Sequence, residues 1–197
     1  MPSVVLLGDS VFDNTAYTNG APDVASHLRA SLTADWTVTL CAIDGATTRD
    51  FGPQLDRIPG HATHLMLSLG GNDALEQADM LTLSVRSAGE ALDRFAERLA
   101  DFEQSYGWAV DAVLERGLPT TVCTIYDASF EEPQATRIRT ALMMFNDAIT
   151  RVARRRDLPV LDLRLVCDTA EDFVQSIEPS ATGGAKIAAA LAEKLAR

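Results

Sequence analysis

The chain has 197 residues, 47% of them apolar and 23% charged, which suits one globular domain over 1–197 and excludes a fibrous or disordered chain. Its formal net charge of −11 disfavours nucleic acid and anionic membrane as partners. No apolar run approaches the roughly 20 residues of a membrane span, and no basic n-region with a small-residue cleavage site opens the chain, so a cytoplasmic location is expected.

In chain order, an apolar strand over 4–7 runs straight into Gly8-Asp9-Ser10. A helix is predicted over 22–32, with Pro22 near its start. The second strand, over 37–43, ends at Asp44-Gly45-Ala46, and a weaker helix follows over 47–58, interrupted by Gly52-Pro53. The third strand, 65–69, ends in Gly70-Gly71-Asn72-Asp73. A long helical stretch is expected over 80–116, with a break near Tyr106-Gly107 and a stop at Gly117. Then come a strand over 120–125, a helix over 132–156, a strand over 160–163 and a last helix over 184–196. Continuous apolar runs alternating with helices indicate parallel strands covered on both faces. The fold expected is a doubly wound, five-stranded α/β/α sandwich of three layers. In such sheets ligands bind beyond the carboxyl ends of the strands.

Three strand ends pass that test together. They place a serine hydroxyl, a glycine that can bring its amide close, and an asparagine amide at one end of the sheet. Serine attack on an ester carbonyl needs such donors, aimed at the oxyanion that forms. Gly8-Asp9-Ser10, Gly45 and Gly70-x-Asn72-Asp73, in that order, resemble the first three sequence blocks of the SGNH, or GDSL, hydrolase family. The resemblance covers nearly the whole chain. It implies a flavodoxin-like sandwich with strand order 2-1-3-4-5 and hydrolysis of ester or related acyl bonds without metal or cofactor. It also implies Ser10 as nucleophile and Gly45 and Asn72 as oxyanion donors. Taken singly, each block reads as a tight turn or a helix cap.

The family's last block is Asp-x-x-His before a proline. Here Pro179, Ser180 and Gly183 fix the match, so Glu178 occupies the histidine position and Gln175 the aspartate position. Only three histidines exist. His61 and His64 precede the third strand, at the wrong end of the sheet, and His27 lies within the first helix. Glu178 is therefore the candidate base by position, although a carboxylate at its ordinary pKa is weak for that task unless burial raises it. The competing reading makes it a cap of the last helix or a partner of Lys186 or an arginine. Asp9, Asp13, Asp44, Gly71 and Asp127 lie near the same strand ends and are candidate substrate contacts. Most such acids serve as caps or turns.

Cys41, Cys123 and Cys167 have spacings that suit neither disulfides nor zinc, and read as buried thiols. Arg154-Arg155-Arg156 ends a helical pattern, where cations complement the helix dipole. Two functions remain in view. One is an ester hydrolase with an altered base, acting on a small-molecule ester or acyl substrate. The other is a family fold that binds esters or carboxylates without turnover. A phosphate or nucleotide binder is the weakest reading, because no glycine-rich phosphate loop is present.

Overall fold

A computed structural model describes residues 1–196. Five parallel strands form one sheet: β1 (Ser3–Gly8), β2 (Thr37–Leu40), β3 (His64–Ser68), β4 (Thr120–Cys123) and β5 (Val160–Leu161). Their order is β2-β1-β3-β4-β5, the doubly wound order expected. Register brings Gly8 opposite Ser68 at the carboxyl end of β1 and β3. All six residues of β1 are buried, as its unbroken apolar run requires of a strand covered twice.

Alternate side chains of the strands feed two cores. Val5, Leu7, Leu65 and Leu67 face α2 (Gly52–Leu55), α4 (Ala88–Leu114) and α5 (Gln134–Arg154). Val4, Leu6 and Met66 face α1 (Val24–Ser31) and α6 (Ala181–Leu195), which pack on each other. The result is a three-layer α/β/α sandwich. Asp23 caps α1 by accepting from Ser26 N at 2.7 Å, and Ser180 caps α6 by accepting from Gly183 N at 3.1 Å.

Several boundaries differ from expectation. The long helix begins at Ala88, not near residue 80, because Ala78–Thr82 closes its own 3-10 turn with Met80 buried beneath it. No break occurs at Tyr106-Gly107. Gly107 stays helical and admits Arg156, whose Nη2 would lie 3.4 Å from a Cβ placed there. The helix expected over 47–58 contracts to the single turn of α2. A short helix, α3 (Gly71–Leu75), opens directly after β3, and a small hairpin, β6 (Phe173–Val174) with β7 (Glu178–Pro179), precedes α6. All three cysteines are buried and free. The arginine run is tied to α4 by Arg155–Glu103 at 2.7 Å and Arg156–Asp111 at 2.6 Å. No described helix is long and apolar enough to cross a membrane.

Candidate active site

The chain leaves β1 through a left-handed glycine. Gly8 has φ +127°, and a Cβ there would lie 1.6 Å from the Ser68 carbonyl oxygen, so only glycine lets β1 and β3 approach this closely. Gln54, wholly buried on α2, clasps that glycine: Gly8 N donates to Oε1 at 2.8 Å, and Nε2 donates to Gly8 O at 2.7 Å. The turn that follows is held by Asp9, whose Oδ1 accepts from Val11 N at 3.1 Å. Ser10 thus stands just past the carboxyl end of β1, 7% exposed.

The glycine and asparagine loops are pinned to each other. Asn72 Nδ2 donates to Ala46 O at 3.0 Å, which leaves its second N–H free. Asp73 accepts from the Thr48 amide at 3.1 Å and from the Thr48 hydroxyl at 2.5 Å. Gly45 sits between them at φ +81°, with nothing within 4 Å of a Cβ position. The amides on either side are engaged, Asp44 N with Asp13 Oδ2 and Ala46 N with Ile43 O. Among the described residues the N–H groups of Gly45 and Ser10 donate to nothing.

Glu178 reaches the site on β7, where it neither caps the last helix nor pairs with Lys186. Ser180, not Glu178, caps α6. Lys186 pairs with Asp168 at 3.1 Å and with Asp172 at 2.8 Å. Glu178 instead is 9% exposed and faces the Ser10 hydroxyl, with Oε2 buried and without a hydrogen-bond partner. Burial pushes its carboxyl up from the ordinary range, the Ser10 hydroxyl draws it back, and the Asp44 charge raises it again. The Ser10 hydroxyl is near enough to lower the carboxyl, although no hydrogen bond closes between the two side chains. Asp9 is more deeply buried, and burial, with the charges of Glu178 and Asp73, lifts it to about 7 against the pull of the Val11 amide.

Two ties that set Glu178 in place carry no local sequence signal. Buried Asn14 donates through Nδ2 to Pro179 O at 3.1 Å and accepts from Val24 N at 3.0 Å. The Tyr126 hydroxyl donates to Ile177 O at 2.6 Å. Both bonds span long stretches of chain, which is why residue types and spacing did not mark them.

A cavity of about 550 Å³ opens beside Ser10 and is lined by Asp9, Ser10, Gly71, Asn72 and Glu178 at its polar end. Four of the expected site residues lie outside it. Asp13 and Asp44 flank the Gly45 loop, Asp44 accepting from the Tyr17 hydroxyl at 2.8 Å. That bond pushes the Tyr17 phenol up to about 12. Gly45 is exposed at the edge of the site, and Asp127 is half-buried towards Arg164 and Arg139. Gln175 does not accompany Glu178. It is exposed in the tight hairpin turn at φ +49°, where the two-residue strands leave it outside the cavity. His64 packs at a tilt against Trp36 at the amino end of the sheet, and among the described residues no histidine lines the cavity.

Comparison with known proteins agrees with the fold. No curated protein matches the sequence. Among solved structures, an extracellular lipase from Streptomyces rimosus is 18% identical, with a TM-score of 0.71 over 100% of this chain and 99% of that one. A phospholipase A1 from Streptomyces albidoflavus is 18% identical, with a TM-score of 0.72 over 98% and 99%. A carbohydrate acetylesterase from Sinorhizobium meliloti is 14% identical, with a TM-score of 0.71 over 100% and 99%. Identities this low establish the shared fold. The model of the GDSL-like lipase/acylhydrolase family matches residues 6–186, nearly the whole chain, and the protein belongs to that family.

Proposed function

We propose that the protein is a serine ester hydrolase in which a glutamate replaces the usual histidine. The reading rests on one juxtaposition: the Ser10 hydroxyl faces a buried carboxylate, Glu178, that has an unpartnered oxygen. Ser10 Oγ attacks the ester carbonyl and its proton passes to Glu178. The developing oxyanion is met by the unengaged amides of Ser10 and Gly45 and by the free N–H of Asn72. Collapse of this intermediate breaks the bond to the alcohol, which leaves with the proton from Glu178. Water, deprotonated by the same carboxylate, then attacks the acyl-Ser10 ester; the acyl–Oγ bond breaks, Ser10 Oγ takes the proton back from Glu178 and the acid is released.

Two electrostatic features support a carboxylate as base. Burial raises Glu178, which narrows the gap to the serine hydroxyl. Asp9, buried more deeply, is lifted to about 7, which lessens the negative charge beside Glu178 below that pH. A carboxylate needs no acid to orient it, as an imidazole does, which fits an exposed Gln175.

The test is reaction with a fluorophosphonate, read by intact mass and peptide mapping beside Ser10→Ala. Labelling confined to Ser10 is expected. A folded protein that stays unlabelled would instead support the second reading, a family member that binds esters or carboxylates without turnover. That reading is favoured by the absence of histidine among the described cavity residues.

A further inference from the structure

We propose that the cavity beside Ser10 is an acyl-chain pocket, and that the substrates are esters of long apolar acyl chains rather than acetyl esters. The inference rests on the serine hydrolase reading and adds the class of acid released. Beyond its polar end the cavity is walled mainly by Leu81 and Phe95 on one side and by Ile138, Ala141, Leu142 and Phe145 of α5 on the other, with Gln77, Thr82, Gln134 and Arg137 also lining it. A void of about 150 Å³ between apolar side chains is enough for benzene. The 550 Å³ found here leaves room for a chain on the order of ten carbons or more. An acetyl group would leave most of these apolar walls uncovered, whereas each methylene buried against them is worth about a factor of four.

The apolar surface also continues outward from the mouth. Leu92 stands one turn before Phe95 on the same face of α4, and Leu83 follows Thr82, which lines the cavity. Leu75, Leu83 and Leu92 are 48%, 42% and 62% exposed, an arrangement that gives a long chain a path beyond the enclosed part. Asp13 and Asp44 lie outside this volume.

The experiment compares kcat/KM for 4-nitrophenyl acetate and 4-nitrophenyl decanoate in the wild type, Ala141→Trp and Leu81→Glu, with calorimetric titration of decanoate into each. Ala141→Trp fills the cavity from α5. Leu81→Glu puts a charge into the same space from a half-exposed turn that folding of the sheet does not depend on. The wild type is expected to favour decanoate ester by at least about 100-fold. Both variants are expected to lower the decanoyl-to-acetyl ratio at least tenfold and to weaken decanoate binding. An acetyl preference in the wild type, or a ratio unmoved in both variants, overturns the pocket while leaving Ser10 chemistry intact. If Ser10→Ala keeps full turnover the nucleophile assignment fails, and decanoate binding weakened in both variants still upholds the pocket.

Discussion

At the scale of single residues, the site turns on two carboxyls raised by burial, with opposite consequences. Glu178 acts as a base only when ionised. Activity should therefore rise with pH through its elevated pKa and level off above it. Glu178→Gln should remove that rise and lower kcat/KM by about 10²- to 10⁴-fold, measured as a pH–rate profile on one ester. A variant profile that overlays the wild type would show that Glu178 only packs. Asp9 affects stability instead. Its folded-state value of about 7 lies above the ordinary 3.8, so its favourable contribution is complete below pH 3.8 and is lost as pH rises through 7. Three pH units of separation correspond to about 4 kcal/mol. Asp9→Asn keeps an oxygen for the Val11 amide and cannot ionise. Urea unfolding at pH 4.5 and pH 8 should show the variant gaining on the wild type by several kcal/mol at the higher pH. Equal differences at the two pH values would mean that Asp9 is solvated in the native state.

At the scale of elements, the strand ends were readable because their physics is local. Parallel strands buried on both faces give unbroken apolar runs, and left-handed turns demand glycine, as at Gly8 and Gly45. The clasps between elements were not readable. Gln54 lies 46 residues from Gly8, and Asn14 lies 165 residues from Pro179, so neither has a neighbour in sequence that announces it. The β6–β7 hairpin is unmarked in the sequence for a related reason. Strands of two residues have no period, and their turn is made by Gln175 and Ser176 at positive φ rather than by glycine. The Met80 turn is not distinguishable from α4 in the sequence, because both carry apolar residues at helical spacing. Gln54→Ala puts the clasp to the test. It leaves the buried Gly8 N–H without a partner and should cost about 3 kcal/mol, seen as a lower urea midpoint at unchanged slope. Tyr126→Phe keeps the ring and frees Ile177 O, so it should lower kcat and shift the pH profile of Glu178 with little loss of stability. A stability loss with an unmoved pH profile would assign Tyr126 to packing alone.

At the scale of the whole molecule, the charge of −11 and the local acids act on the same substrate. Asp13, Asp44 and the Tyr17 hydroxyl cluster around the Gly45 loop, outside the apolar cavity, while Arg137 stands on the α5 side. An ester whose acyl chain lies between α4 and α5 is expected to present its alcohol towards those acids. The long-range field and the near contacts therefore favour an alcohol that carries positive charge. Steering of this kind raises association rates and is screened by salt, with a Debye length of about 10 Å at 0.1 M. Two decanoyl esters, one of a quaternary-ammonium alcohol and one of a carboxylate-bearing alcohol, distinguish this from simple hydrophobic capture. Raising ionic strength from about 0.02 to 0.5 M should lower kcat/KM for the cationic ester by roughly threefold to tenfold and raise it for the anionic one. Asp13→Asn with Asp44→Asn should flatten both responses. Hydrophobic capture alone would move both esters in the same direction, because salt strengthens burial of the shared chain regardless of the alcohol.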